Sequence, residues 1–203
     1  MIAILDYCAG NIRSLINALE QVKARTVLTL DPEVINQCTH LIIPGVGSFG
    51  FASDYLMKNN LFPTIHEFNK NKKPILGICL GYHLLQQIGF EDGEHPGLGL
   101  LPGTVNRLSE QCRPLPHIGW NDLIIPKSMV QHPLFNNIKN HQFYFAHSYY
   151  VGYTNEIPTC AHTRYQDFLF TSLIINDNII GVQFHPEKSH HQGLTLLENF
   201  TKM

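Results

Sequence analysis

Pro74-Ile75-Leu76-Gly77-Ile78-Cys79-Leu80-Gly81 is the stretch whose reading decides the fold. An apolar run follows a proline, reaches a cysteine bracketed by Gly77 and Gly81, and passes into a helical pattern. A short continuous apolar run bounded by turn residues reads as a fully buried strand. Residues 74–78 are therefore a strand and 81–88 the helix that follows it. The same alternation extends outward in both directions. Ile2–Leu5 is a strand-like run, and residues 11–23 carry Ile12, Leu15, Ile16, Leu19 and Val22 on one helical face. Residues 26–30 read as strand, and Asp31-Pro32-Glu33 places a capping aspartate before a proline at the first helical position. Residues 41–43 form a buried strand ending at Pro44-Gly45, and helical character returns between 51 and 68. Repeated strand–helix units of this kind predict a mostly parallel sheet flanked by helices.

The second half of the chain changes character. Residues 104–108, 123–125, 143–150 and 158–162 read as short strands. Residues 168–175 and 179–184 are strands joined through Asn176-Asp177-Asn178, which is hairpin chemistry. Residues 93–103, rich in Gly and Pro, read as a loop, and 192–200 as a closing amphipathic helix. The expectation is an α/β fold with an added antiparallel portion. The 203 residues suit one domain spanning 1–203, since single domains run to about 50–250 residues.

Composition excludes several classes. Apolar residues make up 44% and charged residues 15%, enough of the former for a packed core. A formal net charge of −2 offers no electrostatic reason to bind nucleic acid or an anionic membrane. No apolar run approaches the ~18 residues that a membrane span requires. Met-Ile-Ala-Ile-Leu-Asp lacks the basic segment and long apolar stretch of a signal peptide. The five cysteines are odd in number, widely spaced and without a C-x-x-C pair. That argues against a disulfide framework or a cysteine zinc site and for a reducing, cytoplasmic setting.

Three segments carry chemistry. In Gly77-Ile78-Cys79-Leu80-Gly81 the strand–turn–helix context is that of a nucleophile elbow, where a strained turn lifts the nucleophile above the sheet edge. Flanking glycines remove side chains that would clash in so tight a turn. The partial positive charge at a helix start favours thiolate, the reactive form. The competing reading is a buried packing cysteine, because free cysteine is among the most buried residue types. In Gly181-Val182-Gln183-Phe184-His185-Pro186-Glu187 a strand runs into His185. In an extended segment residues i and i+2 point the same way, so Glu187 can lie beside His185 and orient it as a base for Cys79. Alone, this H-P-E segment also fits a surface turn. Pro44-Gly45-Val46-Gly47 follows a buried strand and can aim backbone N–H groups at a developing oxyanion. It lacks the spacing of a phosphate-binding P-loop. His185, Glu187, His190 and His191 could supply metal ligands, but the H-E-x-x-H spacing is absent and a metal would leave the cysteine turn unexplained. No metal is expected.

Taken together, the three segments resemble the class I (triad) glutamine amidotransferases. Asp6-Tyr7-Cys8-Ala9-Gly10-Asn11-Ile12-Arg13-Ser14, Pro44-Gly45-Val46-Gly47-Ser48-Phe49, Pro116-His117-Ile118-Gly119-Trp120-Asn121, Phe145-Ala146-His147-Ser148-Tyr149 and His185-Pro186-Glu187-Lys188-Ser189 narrow the likeness to the glutaminase subunit of imidazole glycerol phosphate synthase. The resemblance implies a flavodoxin-like α/β fold, no cofactor, and hydrolysis of L-glutamine to glutamate and ammonia. By that likeness Cys79 is the nucleophile, His185 the acid and base, and Glu187 its support. The N–H of Leu80 and a peptide of the Gly45-Val46-Gly47 loop hold the oxyanion. Gly47, Gly77, Ser148 and Tyr149 line the glutamine pocket. Asn11, Trp120, Tyr144 and Lys188 face a (β/α)8-barrel cyclase subunit of the HisF type. In that heterodimer, ammonia joins a ribulosyl nucleotide to give imidazole glycerol phosphate and AICAR.

The sequence departs from the family pattern in two places. Where the elbow usually continues Gly-Met-Gln, this chain has Gly81-Tyr82-His83, so His83 replaces a substrate-holding glutamine with one donor and one acceptor. Cys8 stands where glycine is usual, in the segment expected near the partner. These departures keep open a relative that supplies ammonia to another acceptor, such as a surface-polysaccharide sugar. Two other classes are a cysteine hydrolase or redox sensor without ammonia transfer, and a non-catalytic binding subunit. The His-Pro-Glu segment argues against the first, and the intact Cys79–His185–Glu187 set against the second.

Overall fold

The computed structural model describes residues 1–7, 11–152 and 159–203. Its first half runs β1 (Ile2–Leu5), α1 (Ile12–Gln21), β2 (Thr26–Thr29), α2 (Pro32–Gln37), β3 (His40–Ile43), α3 (Phe49–Lys58), α4 (Leu61–Lys70), β4 (Ile75–Ile78) and α5 (Leu80–Leu84). The second half adds β5 (Ile88–Gly89), β6 (His95–Pro96), β7 (Thr104–Arg107), β8 (His117–Asp122), β9 (Gln142–His147), β10 (Tyr149–Val151), β11 (Cys160–Tyr165), β12 (Phe168–Asn176), β13 (Ile179–Val182) and α6 (His190–Phe200).

Strands β2-β1-β3-β4-β13 lie side by side and all parallel. This is the flavodoxin-like strand order. The sheet continues antiparallel from β13 through β12 to β10 and β7, with β11 also on β12. Strands from both halves of the chain therefore share one sheet. β8 and β9 form a separate antiparallel pair.

The residues of β1, β4 and β13 are buried throughout, as strands covered on both faces must be. Alternate residues of β1 divide between the two faces. Ala3 and Leu5 pack with Ile35, Leu56, Ile65 and Phe68 from α2, α3 and α4. Ile2 and Ile4 pack with Leu15 and Leu19 of α1 and Leu196, Leu197 and Phe200 of α6. Because the central strands are parallel, the carboxyl ends of β1, β3, β4 and β13 open on one edge, where sheets of this kind bind ligands. Among the described residues, no helix is long and apolar enough to cross a membrane.

Several expected elements differ. The stretch 51–68 is two helices, because Asn60 takes a left-handed backbone (φ 53°) between α3 and α4, a conformation asparagine tolerates. The helix expected over 81–88 stops at Leu84, and Ile88–Gly89 instead pairs with β7 and β6. His95–Pro96 therefore gives the expected 93–103 loop a short strand. The strand expected at 123–125 is reduced to one bridge between Ile124 and His162. Strand β8, just before it, was not legible: its exposed positions carry Ile118 and Trp120 and its more buried ones His117, Gly119 and Asn121, so the usual apolar-in, polar-out alternation is inverted. Residues 143–150 break at Ser148 into β9 and β10, which belong to different sheets. Part of the expected 158–162 strand, and Cys8, lie outside the described residues; β11 runs Cys160–Tyr165.

The tightest joint is at the start of α5. A Cβ on Gly81 would lie 1.8 Å from the backbone oxygen of Ile43 at the end of β3. Gly81→Ala is expected to destabilise the fold by about 3 kcal/mol, the upper part of the overpacking range, because backbone rather than a movable side chain stands in the way. The check is a lowered urea midpoint with an unchanged denaturant slope.

Candidate active site

Cys79 sits between β4 and α5 with φ 51° and ψ −105°, a combination that L-residues avoid. Two hydrogen bonds hold it there. Its N–H donates to the Val182 carbonyl at 2.7 Å, and its own carbonyl accepts from the His83 N–H at 3.0 Å. Cys38, Cys112 and Cys160 are buried as well, so burial does not single out Cys79; its backbone and partners do. Helix α5 has five residues, too few for a long dipole. What it offers is first-turn N–H groups, Leu80 among them, that have no acceptor within the helix.

Strand β13 delivers His185 to the same edge. His185 Nδ1 lies 2.8 Å from Glu187 Oε1, with both side chains almost wholly buried. The route differs from the expected extended i, i+2 alignment: Pro186–Lys188 is a short 3-10 turn that folds the carboxylate back onto the ring. With Nδ1 engaged by Glu187, Nε2 is the ring nitrogen left for Cys79. Burial opposes charging of His185. Its interaction with Cys79, with the bond and charge of Glu187, outweighs burial and pushes it up to about 10. Asn11 Nδ2 donates to the same Glu187 Oε1 at 3.2 Å, and Asn11 Oδ1 accepts from Ser14 Oγ at 2.8 Å. Glu187 Oε2 is buried without a hydrogen-bond partner among the described residues.

A cavity of about 250 Å³ opens beside Cys79. Val46, Gly47 and Leu80 line one part of it, and His83, Ser148 and Tyr149 another. Gly47 has φ 148°, a backbone that favours glycine. Gly45, expected in the oxyanion loop, and Gly77, expected in the glutamine pocket, both sit in close packing. A Cβ on Gly45 would lie 2.4 Å from Leu80 Cβ, and one on Gly77 would lie 2.7 Å from the Gly81 carbonyl oxygen. Neither lines the cavity, and both instead permit close packing under the turn. A larger hollow of about 530 Å³ between Arg107, Glu110 and Arg113 contains none of the residues around Cys79.

Four further residues at the site escaped the sequence reading. Tyr7, buried after β1, donates its hydroxyl to the Pro44 carbonyl and so pins the root of the 44–47 loop. Glu91 lines the cavity and accepts from the Phe49 N–H at 2.6 Å. Burial holds its carboxyl above the usual range, partly offset by that bond. His147 lines the cavity and bonds His117 Nδ1 at 3.0 Å and the Tyr149 carbonyl at 2.7 Å. Gln183 reaches Cys79 Sγ at 3.7 Å. None of the four has a signal in spacing alone; Tyr7, His147 and Gln183 were at least inside recognised segments.

Around His185 the expected partner-facing residues gather. Trp120 stacks on His190 at 4.9 Å and meets Tyr144 edge-on at 6.1 Å, while Lys188 Nζ lies 5.7 Å from the Tyr144 ring centre. Tyr144 is bonded to the triad's own backbone: its carbonyl accepts from the His185 N–H at 2.8 Å. Ser189 Oγ accepts from the Tyr144 N–H at 2.9 Å and donates to the His185 carbonyl at 2.6 Å. Asn11 lies against Glu187.

Comparison with known proteins agrees with this geometry. The family model described as glutamine amidotransferase class-I matches residues 3–203. A relative from Sulfurimonas denitrificans, named imidazole glycerol phosphate synthase subunit HisH, is 44% identical over 100% of this chain and 98% of its own. The subunit HisH 2 of Methanococcus maripaludis is 43% identical over 100% of this chain and 99% of its own. Among solved structures, PurLQS from Thermotoga maritima superposes with a TM-score of 0.72 at 20% identity, covering 99% of this chain and 97% of the matched one. That last likeness concerns the fold.

The buried histidines set a pH dependence. Burial lowers His83 from 6.5 to about 4, partly offset by its bond to Gln183, and lowers His117 to about 4. Between those values the unfolded chain binds protons that the folded chain does not, so stability falls as pH drops from 6.5 towards 4. His185 has the opposite sign: its contribution is intact below 6.5 and is lost as pH rises through about 10. Urea midpoints measured against pH are expected to peak between these limbs, and His83→Gln to make the acid limb shallower.

Proposed function

This chain belongs to the class-I glutamine amidotransferase family, within its HisH group, and we propose that it is the glutaminase subunit of an imidazole glycerol phosphate synthase. The observation that carries the chemistry is His185 bonded at 2.8 Å to Glu187 and held charged with Cys79, beside a cavity that Cys79 lines and that is sized for an amino acid. A nucleophile, its base and an orienting carboxylate in hydrogen-bond sequence is the arrangement that activates a thiol for acyl transfer.

In this reading L-glutamine enters with its side-chain amide against Cys79. Glu91, a carboxylate on the cavity wall, suits the substrate's α-ammonium group by charge. The Cys79 thiolate attacks the carboxamide carbon. The Leu80 N–H and a peptide of the Val46-Gly47 loop meet the oxyanion, where a well-aimed donor is worth about 10²–10³ in rate. His185 gives its proton to the departing nitrogen, releasing ammonia and leaving a thioester on Cys79. It then takes a proton from water, which attacks the thioester, frees glutamate and restores the thiol.

The ammonia acceptor lies on a partner. The HisH relatives support a (β/α)8-barrel cyclase of the HisF type, paired as a cytoplasmic heterodimer. There ammonia would complete imidazole glycerol phosphate and AICAR in histidine biosynthesis. Trp120, Tyr144, Lys188 and Asn11 are the residues assigned to that contact, and residues 1–203 are read as one amidotransferase domain without cofactor. A closed route between subunits has a physical rationale, because water would protonate ammonia and remove its nucleophilicity.

Cys79→Ala is expected to lower glutamate release from glutamine by a factor on the order of 10⁴ or more, as loss of a triad nucleophile does; unchanged release would end the assignment. Glutaminase activity is expected to be weak alone and strongly raised by the cyclase carrying its ligand. Rescue of a histidine auxotroph lacking its own glutaminase subunit, with the cognate barrel co-expressed, tests the pathway. A stable complex without rescue would point to another ammonia acceptor, such as a sugar.

A further inference from the structure

Cys79 has a polar neighbour that the triad does not use. Gln183 follows β13, is wholly buried, and is fixed through its backbone N–H to the Ser172 carbonyl at 2.9 Å. Its side chain is bonded at both ends. Nε2 donates to Cys79 Sγ at 3.7 Å, and Oε1 lies 2.7 Å from His83 Nε2. His83 is itself buried on α5.

A carboxamide can present either its NH2 or its oxygen to a neighbour, and a negatively charged sulfur makes the two unequal. NH2 towards the thiolate is a charge-assisted hydrogen bond; oxygen towards it is repulsive. The partner at the other end is compatible with that choice. Burial keeps His83 neutral at working pH, so its ring has one N–H and one lone pair. With the NH2 turned to the sulfur, the tautomer with the proton on Nε2 donates to Gln183 Oε1, so one arrangement satisfies both bonds at once.

We infer that Gln183 is a positioning residue for the nucleophile, its amide stabilising the Cys79 thiolate, and that His83 acts through Gln183 by donating from Nε2 to Oε1. This rests on the reading of Cys79 as nucleophile. It gives His83 a role distinct from direct glutamine binding and accounts for a histidine at this place: a glutamine at position 83 offers an NH2 that could serve the same oxygen. The other titratable groups around Cys79 are His185 and Glu187 beyond β13, Tyr7 after β1, and His147 and Glu91 on the cavity wall. All remain in the variants below, so a change in thiolate population reports on the Gln183–His83 pair.

The test is the pH dependence of Cys79 alkylation by iodoacetamide without glutamine, with the labelled peptide identified by mass spectrometry and folding checked by circular dichroism. Gln183→Met, which keeps the bulk and removes the donor, is expected to raise the alkylation midpoint by about one pH unit and slow labelling at pH 7 about tenfold. His83→Leu shifts the midpoint the same way by a smaller amount, and His83→Gln restores it. If Gln183→Met does not fold, the contrast between His83→Leu and His83→Gln decides. Folded variants with an unchanged midpoint would overturn the inference. A raised KM for glutamine in His83→Leu with an unchanged midpoint would overturn it too, making His83 a substrate ligand. Label on another cysteine in the unsubstituted protein, with glutamate release surviving Cys79→Ala, would instead remove the nucleophile assignment on which it rests.

Discussion

The parallel pairing of β4 with β13 is the constraint on which the site depends. These strands are about a hundred residues apart in the chain, yet Ile78 lies opposite Val182 and the Cys79 N–H continues the ladder to the Val182 carbonyl at 2.7 Å. That register sets Cys79 and His185 at the same sheet edge. A slip by one residue would turn every side chain of β13 to the other face. The residues of both strands are buried on two faces, so the close packing of their particular side-chain shapes resists such a slip. The triad is therefore positioned by the core, and its distances are a consequence of apolar packing more than of attraction between the three side chains.

That core holds an unusual concentration of polar groups. His83, Gln183, His185 and His147 are all buried near Cys79. Buried polar groups are costly unless bonded, and charges more so. The structure meets this cost in two ways. His83 and His147 stay neutral and are bonded to Gln183 and to the Tyr149 carbonyl. His185 is held charged between Cys79 and Glu187. The two groups of histidines respond to pH in opposite directions, so the neutral range is where both are satisfied.

Much of this was legible in the chain because the signals were local. The Gly77–Gly81 bracket marked the elbow, the apolar runs marked β1, β3 and β4, and Asp31-Pro32 marked the start of α2, where the Asp31 side chain accepts from the Glu33 N–H at 2.8 Å. The features that escaped depend on contacts between distant segments. Tyr7 meets Pro44, Glu91 meets Phe49, and Gln183 meets His83 and Cys79. Strand β8 escaped for another reason: its exposed positions carry Ile118 and Trp120 while its more buried ones carry His117, Gly119 and Asn121, which inverts the alternation that marks a half-buried strand. Gly77 was expected in the glutamine pocket from the family likeness, yet a glycine can be needed for what lies beneath a turn as well as for what lies above it.

The elements around the site also differ in how firmly they are held. Cys79 and His185 follow central strands. The oxyanion candidates Val46 and Gly47 stand on a loop whose root is tied by Tyr7 and whose tip is partly exposed. The segment around His185 has its own tie: Tyr144 on β9 exchanges a hydrogen bond with the His185 backbone and another with Ser189, while its ring meets Trp120 and Lys188 at the surface. Any displacement of Tyr144 thus moves an atom bonded to the catalytic base. Asn11 makes the corresponding link to Glu187. The surface assigned to the partner and the interior that performs hydrolysis are joined by single hydrogen bonds, while the sheet keeps the nucleophile and base in register. Such a construction confines adjustment to the loop and to the orienting groups and leaves the core undisturbed.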